Sequence, residues 1–309
     1  MAGEVDGVKV QIDENQRGYR YFRNAVERHW DPFDIDLERD LENMIEFSKD
    51  NEDMIEYTDM LRKSLAMFGA GEEAVTEDLA PFAVAFDDIE DQMFITTQMY
   101  EEAKHTEFFD RYWKEVTHAA EEELGMEKSS PRDPEWYSPG YEELFEREEE
   151  ALHRLLEEDT PENRVIAHAH YHLTVEGILA QTGYWGLTRT FEEDSDDETP
   201  HLPGLVEGIA KIRSDEGRHV GFGMSKIKHG LEEEGVDEEV LNETLAELVP
   251  LVNDTTNYIY EGIDDPNDLP GPNPGDLAMY AMEKHQDRMG QITDDAASVP
   301  DIQELTALD

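Results

Sequence analysis

The chain has 309 residues, with 77 Asp plus Glu against 25 Lys plus Arg, a formal net charge of −52 and no Cys. So large an excess of negative charge excludes nucleic acid and anionic membrane surfaces as partners, and the lack of Cys excludes disulfides and thiolate chemistry. With 38% hydrophobic residues there is enough apolar material for a core, so the charge reads as a solvated acidic skin that salt must screen.

A cytosol of high salt is therefore the expected setting. The opening MAGEVDGVKV lacks the apolar centre of a signal peptide, and no apolar run approaches the roughly 18 residues of a membrane span, so no membrane insertion is expected. Residues 1–31 read as an irregular N-terminal segment whose aromatics (Tyr19, Tyr21, Phe22, Trp30) pack over the rest. Trp30-Asp31-Pro32 marks the turn into a helical domain over 32–262. Apolar spacing of three and four then runs nearly unbroken from Leu37 to Leu65, with Gly69 and Gly71 read as punctuation. Helices are expected over about 72–86, 88–123 and 140–158, with a loop at 129–139 between the last two. Thr160-Pro161-Glu162 has the form of an N-cap followed by Pro at the first helical position, and it opens a central helix. After an acidic loop at 192–203 come helices over about 204–230 and 237–261. A Pro- and Gly-rich linker at 263–275 leads to a C-terminal helix and acidic tail over 276–309. No strand pattern and no internal repeat stands out, so the expected fold is all-α, a bundle of long helices.

One segment differs from the rest. Residues 165–188, VIAHAHYHLTVEGILAQTGYWGLT, hold a single carboxylate, Glu176, where the chain's average would place about six. Such a segment reads as a helix buried on all sides. A lone carboxylate inside it must be protonated, paired or bound to a cation, because a bare buried charge costs too much.

A helix bundle can house two metal ions with one Glu from each of two helices and a Glu-x-x-His from each of the other two, since residues three apart share a helix face. Five Glu-x-x-His pairs occur: Glu102/His105, Glu115/His118, Glu150/His153, Glu198/His201 and Glu216/His219. Glu115 and Glu150 sit on charged stripes, and Glu198 lies in the acidic loop. The remaining two lie on apolar stripes, one running Ile95, Gln98, Glu102, His105, Phe109, Tyr112, Val116, the other Ile209, Ile212, Glu216, His219, Gly223. Glu72, on the stripe Phe68, Glu72, Val75, Leu79, Phe82, completes the set with Glu176; its neighbour Glu73 is one step off that face and is the alternative. The candidate metal ligands are Glu72, Glu102, His105, Glu176, Glu216 and His219, a mix of oxygen and imidazole donors that suits iron or manganese. His172, four before Glu176, is the candidate for orienting it; the histidines outside the central helix and the two selected pairs are expected to face solvent.

The order and spacing of these residues resemble the ferritin-like dimetal-carboxylate superfamily and, within it, the small (R2) subunit of ribonucleotide reductase. The stretches GEEAVT (71–76), EEAKHTEFF (101–109), YHLTVEG (171–177) and DEGRHVGFG (215–223) are most similar to the R2-like ligand-binding oxidases. This resemblance covers roughly residues 30–290. It implies a ferritin-like four-helix core with added helices, a manganese ion and an iron ion as cofactors, dioxygen as co-substrate, a bound long-chain fatty-acid-like ligand and a homodimer. It also implies an ether cross-link between Val75 and Tyr171. Tyr171 precedes Glu176 by five, which an ideal helix would turn off the metal face, so the match requires a local π-type distortion. Phe109, Tyr184 and Trp185 are the expected lining of the ligand channel. Phe109 stands where most reductase subunits carry their radical Tyr, and no aromatic follows Tyr280, which favours an oxidase over a reductase subunit. A ferritin-like metal store is the third alternative.

Overall fold

The computed structural model describes residues 12–50, 54–193, 199–269, 271–294 and 296–305. The first eleven residues, the middle of the acidic loop and the last four lie outside the described part. Among the described residues all regular structure is helical, in agreement with the sequence.

The N-terminal segment is not irregular throughout. Arg17–Glu27 forms a helix, α1, that buries Tyr21 and Ala25, one turn apart on one face. No side chain caps its start. Its stability comes from packing on later helices rather than from a local signal, which is why the sequence hides it. After α2 (Glu38–Asp50), α3 runs from Met54 to Asp78 straight through Gly69 and Gly71. Those glycines end nothing; a Cβ at Gly71 would lie 3.1 Å from the Phe145 ring, so Gly71 admits a close neighbour. The break comes at Leu79, where Pro81 in the first turn of α4 (Ala80–Ala85) has no N–H to continue the ladder.

The next helix is α5 (Ile89–Tyr112), continued by a π segment at Trp113–Thr117 into α6 (His118–Leu124), and Gly125 ends it at φ 68°. Then come α7 (Pro139–Glu157) and the central helix. The central helix opens as expected, with the Thr160 side chain accepting from the Asn163 N–H at 3.2 Å. It comprises α8 (Pro161–His168), a π segment at Ala169–Ala180 and α9 (Gln181–Phe191). The chain closes with α10 (Pro203–Glu232), α11 (Glu238–Tyr258), α12 (Pro274–Thr293) and α13 (Ile302–Leu305).

The four-helix core is α3 paired with α5 and α10 paired with the central helix. Helices α7 and α11 pack outside it, and α1 lies across α5 and α10. Three apolar clusters fill the core among the described residues, one around Phe108, Tyr112, Leu205 and Ile209, one around Leu79, Phe82, Phe94 and Phe222, and one around Leu173, Val220, Met224 and Leu241. The approach of α10 to the central helix is close enough to require glycine. A Cβ on Gly223 would stand 2.2 Å from the His172 Cβ. Gly223→Ala gains helix propensity but forces two helices apart, so it is expected to destabilise the protein by about 1–3 kcal/mol. Chemical denaturation of the two proteins measures this; an unchanged midpoint would show that the helices do not meet there.

Candidate dimetal centre

The helix pairing brings Glu72 (α3), Glu102 and His105 (α5), Glu176 (central π segment), and Glu216 and His219 (α10) into one buried cluster. Their ligand atoms form two overlapping groups, Glu72, Glu102, His105 and Glu216, and Glu102, Glu176, Glu216 and His219, each within 4.8 Å of one another. Glu102 and Glu216 belong to both. The arrangement can therefore hold two cations, with Glu102 and Glu216 between them and one Glu and one His completing each side. Glu73 is exposed and pairs with Arg132 at 2.9 Å, so α3 contributes Glu72.

Both imidazoles turn Nδ1 inward. His105 Nδ1 lies 3.1 Å from Glu102 and 3.4 Å from Glu72; His219 Nδ1 lies 3.0 Å from Glu102 and 3.2 Å from Glu176. Each Nε2 is held by a carboxylate of the opposite helix, His105 by Asp215 at 3.2 Å and His219 by Glu101 at 2.9 Å. Such partners fix ring orientation and raise donor strength toward a metal. Asp215 also accepts from Lys104 at 2.8 Å and from Trp30 Nε1 at 2.8 Å, and Arg218 bridges it to Glu101.

The π segment aims the central helix. It lets the Tyr171 hydroxyl reach Glu102 at 2.9 Å although Tyr171 is five before Glu176. Gln98 donates to Glu176 Oε1 at 2.9 Å, and His172 Nε2 faces the Gln98 carbonyl at 3.4 Å. His172 thus acts on Glu176 through Gln98. Glu176 Oε2 is buried without any donor, an orphan lone pair that a cation would satisfy. The residues fit a dimetal group.

An apolar cavity of about 60 Å³ opens beside the cluster. Val75, Tyr171 and Tyr184 line it together with Met67, Phe68 and Phe145. The Tyr184 hydroxyl donates to Glu72 at 2.5 Å. The expected lining is only partly right: Phe109 stacks on Phe68 in the core, and Trp185 stacks on Tyr280. The expectation of solvent-facing histidines also needs correction. His29, His153 and His229 are exposed, but His118, His201 and His285 are half-buried, and His118 contacts the Ser129 carbonyl at 2.8 Å.

The sequence model of the ribonucleotide reductase small chain matches residues 13–282. The chain belongs to the ribonucleotide reductase small-chain family. Within this family the chain is similar to solved structures of R2-like ligand-binding oxidase variants. One, with an aerobically reconstituted Mn/Fe cofactor, is 28% identical with a TM-score of 0.76, over 91% of this chain and 95% of that one. Another, with an anaerobically reconstituted Mn/Fe cofactor, is 29% identical with a TM-score of 0.74 over the same shares. A third carries a non-activated Mn/Mn cofactor, at 29% identity, a TM-score of 0.74 and the same shares.

Sequence reasoning missed Glu101 and Asp215, the carboxylates that hold the two histidines. Each is the acidic residue directly before the Glu of its Glu-x-x-His, on a neighbouring helix face, and in so acidic a chain that signal was lost. Arg218, fully buried between them, was the stronger clue, since a buried guanidinium must have acid partners.

The electrostatics of this family member's cluster follow from burial. Burial pushes Glu72 up to about 8, opposed in part by His105. Burial and the neighbouring Glu216 push Glu176 well above the usual carboxylate range, and burial and Glu102 raise Glu216. Burial also acts on Glu102, but His219 and His105 outweigh it and hold its carboxyl low. Burial opposes charge on the two histidines, yet the surrounding carboxylates raise both well above the usual imidazole value. A group whose folded pKa exceeds its unfolded value stabilises the fold below the unfolded value and loses that contribution as pH climbs through the folded one. For Glu72 the loss runs from about pH 4.5 to about 8, at roughly 1.4 kcal/mol per pH unit. Glu176, Glu216, His105 and His219 shift in the same sense. Burial lowers His168, His170 and His172, whose contributions to stability rise with pH up to the ordinary imidazole value of about 6.5, so the metal-free protein, in molar salt to screen the surface, is expected to lose melting temperature as pH rises from about 6.5 to 8, and the metal-loaded protein to resist that loss. Calorimetry of both forms checks this; a metal-free form that gains stability over the window contradicts it.

Proposed function

We propose that this chain is a dioxygen-activating oxidase with a heterodinuclear manganese and iron cofactor, held by Glu72, Glu102, His105, Glu176, Glu216 and His219. The observation that carries this reading is the Tyr171 hydroxyl hydrogen-bonded to Glu102 within the cluster, with Val75 on the wall of the same cavity. The bound metal pair supplies the reduction of dioxygen. The chain supplies the bond to be oxidised. Joining an aliphatic carbon of Val75 to the Tyr171 oxygen breaks one C–H and one O–H bond, forms one C–O bond and releases two protons and two electrons. Reduction of dioxygen to water takes up these and needs two further electrons and two further protons, which a reduced metal pair held by these residues and solvent would supply.

Several residues prepare this step. Burial, together with the nearby Glu102 and Glu176, raises the Tyr171 hydroxyl well above its ordinary value, so its proton stays in place until oxidation removes it. Glu102 accepts the hydrogen bond and is the nearest base. Gln98 contacts both the Tyr171 hydroxyl, at 3.3 Å, and Glu176, tying the two positions together. The apolar wall keeps bulk water from the reacting carbon.

The same cavity is the place for a long-chain fatty-acid-like ligand, with its head toward Glu72 and Glu176 and its chain along Met67, Phe68, Phe145 and Leu179. At about 60 Å³ the cavity holds only about four waters, so such a ligand has to spread these flexible apolar side chains. Homodimerisation belongs to the same reading.

After aerobic loading with manganese and iron, intact mass should fall by two hydrogens, and the peptides carrying Val75 and Tyr171 should co-elute as one cross-linked species. Tyr171→Phe should keep its full mass. Fully loaded protein with separate peptides and unchanged mass would sink the oxidase reading.

A further inference from the structure

A second cavity, about 330 Å³, is walled by α9, α10, α12 and the segment Pro300–Leu305. Its polar lining includes Gln181, Arg213, Lys284, Asp287, Arg288 and Glu304. Three cations in one cavity run against the composition of this chain, where acids outnumber bases 77 to 25.

The state of the two arginines is more telling than their number. Other buried cations here sit on carboxylates: Arg62 on Glu121 at 2.9 Å, Lys104 on Asp215 at 2.8 Å, Arg218 on Glu101 at 2.5 Å. Arg213 is 9% exposed; its buried Nε has no hydrogen-bond partner, as in Arg62 and Arg218, but unlike them it closes no ion pair among the described residues. Arg288 is half-buried and donates to the Gly177 carbonyl of the central π segment. Among the described residues neither guanidinium has an ion-pair partner. Asp287, which acts on Arg288 through space, and Glu304 are exposed at the cavity, and neither closes an ion pair with Arg213 or Arg288. A buried guanidinium without an anion is costly, and in so acidic a chain a partner carboxylate would be easy to supply.

We propose that this cavity binds a small oxyanion, a carboxylate or a phosphate, held by Arg213 and Arg288 with Lys284 beside them. The planar forks of two guanidiniums match the paired oxygens of these groups. The volume admits an ion of phosphate size or a short carboxylic acid and is too polar for an acyl chain. An anion there also steadies the guanidinium that holds the Gly177 carbonyl, next to Glu176.

The test is isothermal titration calorimetry of the metal-loaded full chain, at fixed sodium chloride, with inorganic phosphate and separately with acetate. Saturable binding of either at one site per chain is expected, and the responding arm tells phosphate from carboxylate. Arg213→Gln and Lys284→Gln should each weaken it on the order of tenfold or more, the range for a lost charge-assisted hydrogen bond. Where Arg213→Gln fails to fold by circular dichroism, Arg213→Lys takes its place, with the same expected direction. No saturable heat for either anion overturns the proposal. So does an affinity that is the same in every folded variant.

Discussion

Burial of Glu72, Glu102, Glu176 and Glu216 in one core is the constraint on which the rest of the structure depends. Four carboxylates at these distances cannot all be ionised in a medium of low dielectric. Protons can relieve them, which the raised values of three of the four express. Two cations relieve them better, since the overlapping donor groups present oxygen and imidazole together and leave Glu176 Oε2 waiting for a partner.

Around that core the chain builds an approximate exchange between two helices. Helix α5 lends Glu101 to the histidine of α10, and α10 lends Asp215 to the histidine of α5. Arg218 joins the two lent carboxylates. The cost of burying so many charges is offset by hydrogen bonds that reach every imidazole nitrogen in the cluster, and those bonds turn Nδ1 of each ring toward the shared carboxylates. The central helix contributes differently. It is apolar enough to be surrounded, and its π segment spends regular geometry to bring Tyr171 and Glu176 into one site.

Much of this was legible in the sequence because the signals were chemical exceptions. One Glu in an apolar helix, and two Glu-x-x-His pairs on apolar stripes, stand out in a chain whose acids are mostly on the surface. The five-residue offset of Tyr171 called for a π distortion, and the helix has one. What stayed hidden was set by tertiary packing. Helix α1 has no side-chain cap and depends on its neighbours. Gly69 and Gly71 look like terminators but lie inside α3, with Gly71 admitting Phe145. Glu101 and Asp215 could not be told from the surrounding acids by spacing alone. The walls of the apolar cavity were half legible, since Tyr184 faces it while Phe109 and Trp185 pack elsewhere.

The claim that organises all of this is that the buried carboxylates exist to hold two metal ions. Elemental analysis of the purified full chain, after supply of manganese and iron together and removal of loosely bound ions, addresses it most directly. The account predicts two ions per chain, one manganese and one iron, and loss of at least one of them in Glu176→Ala. A chain that retains one ion or none, or a Glu176→Ala variant that keeps both, would contradict it.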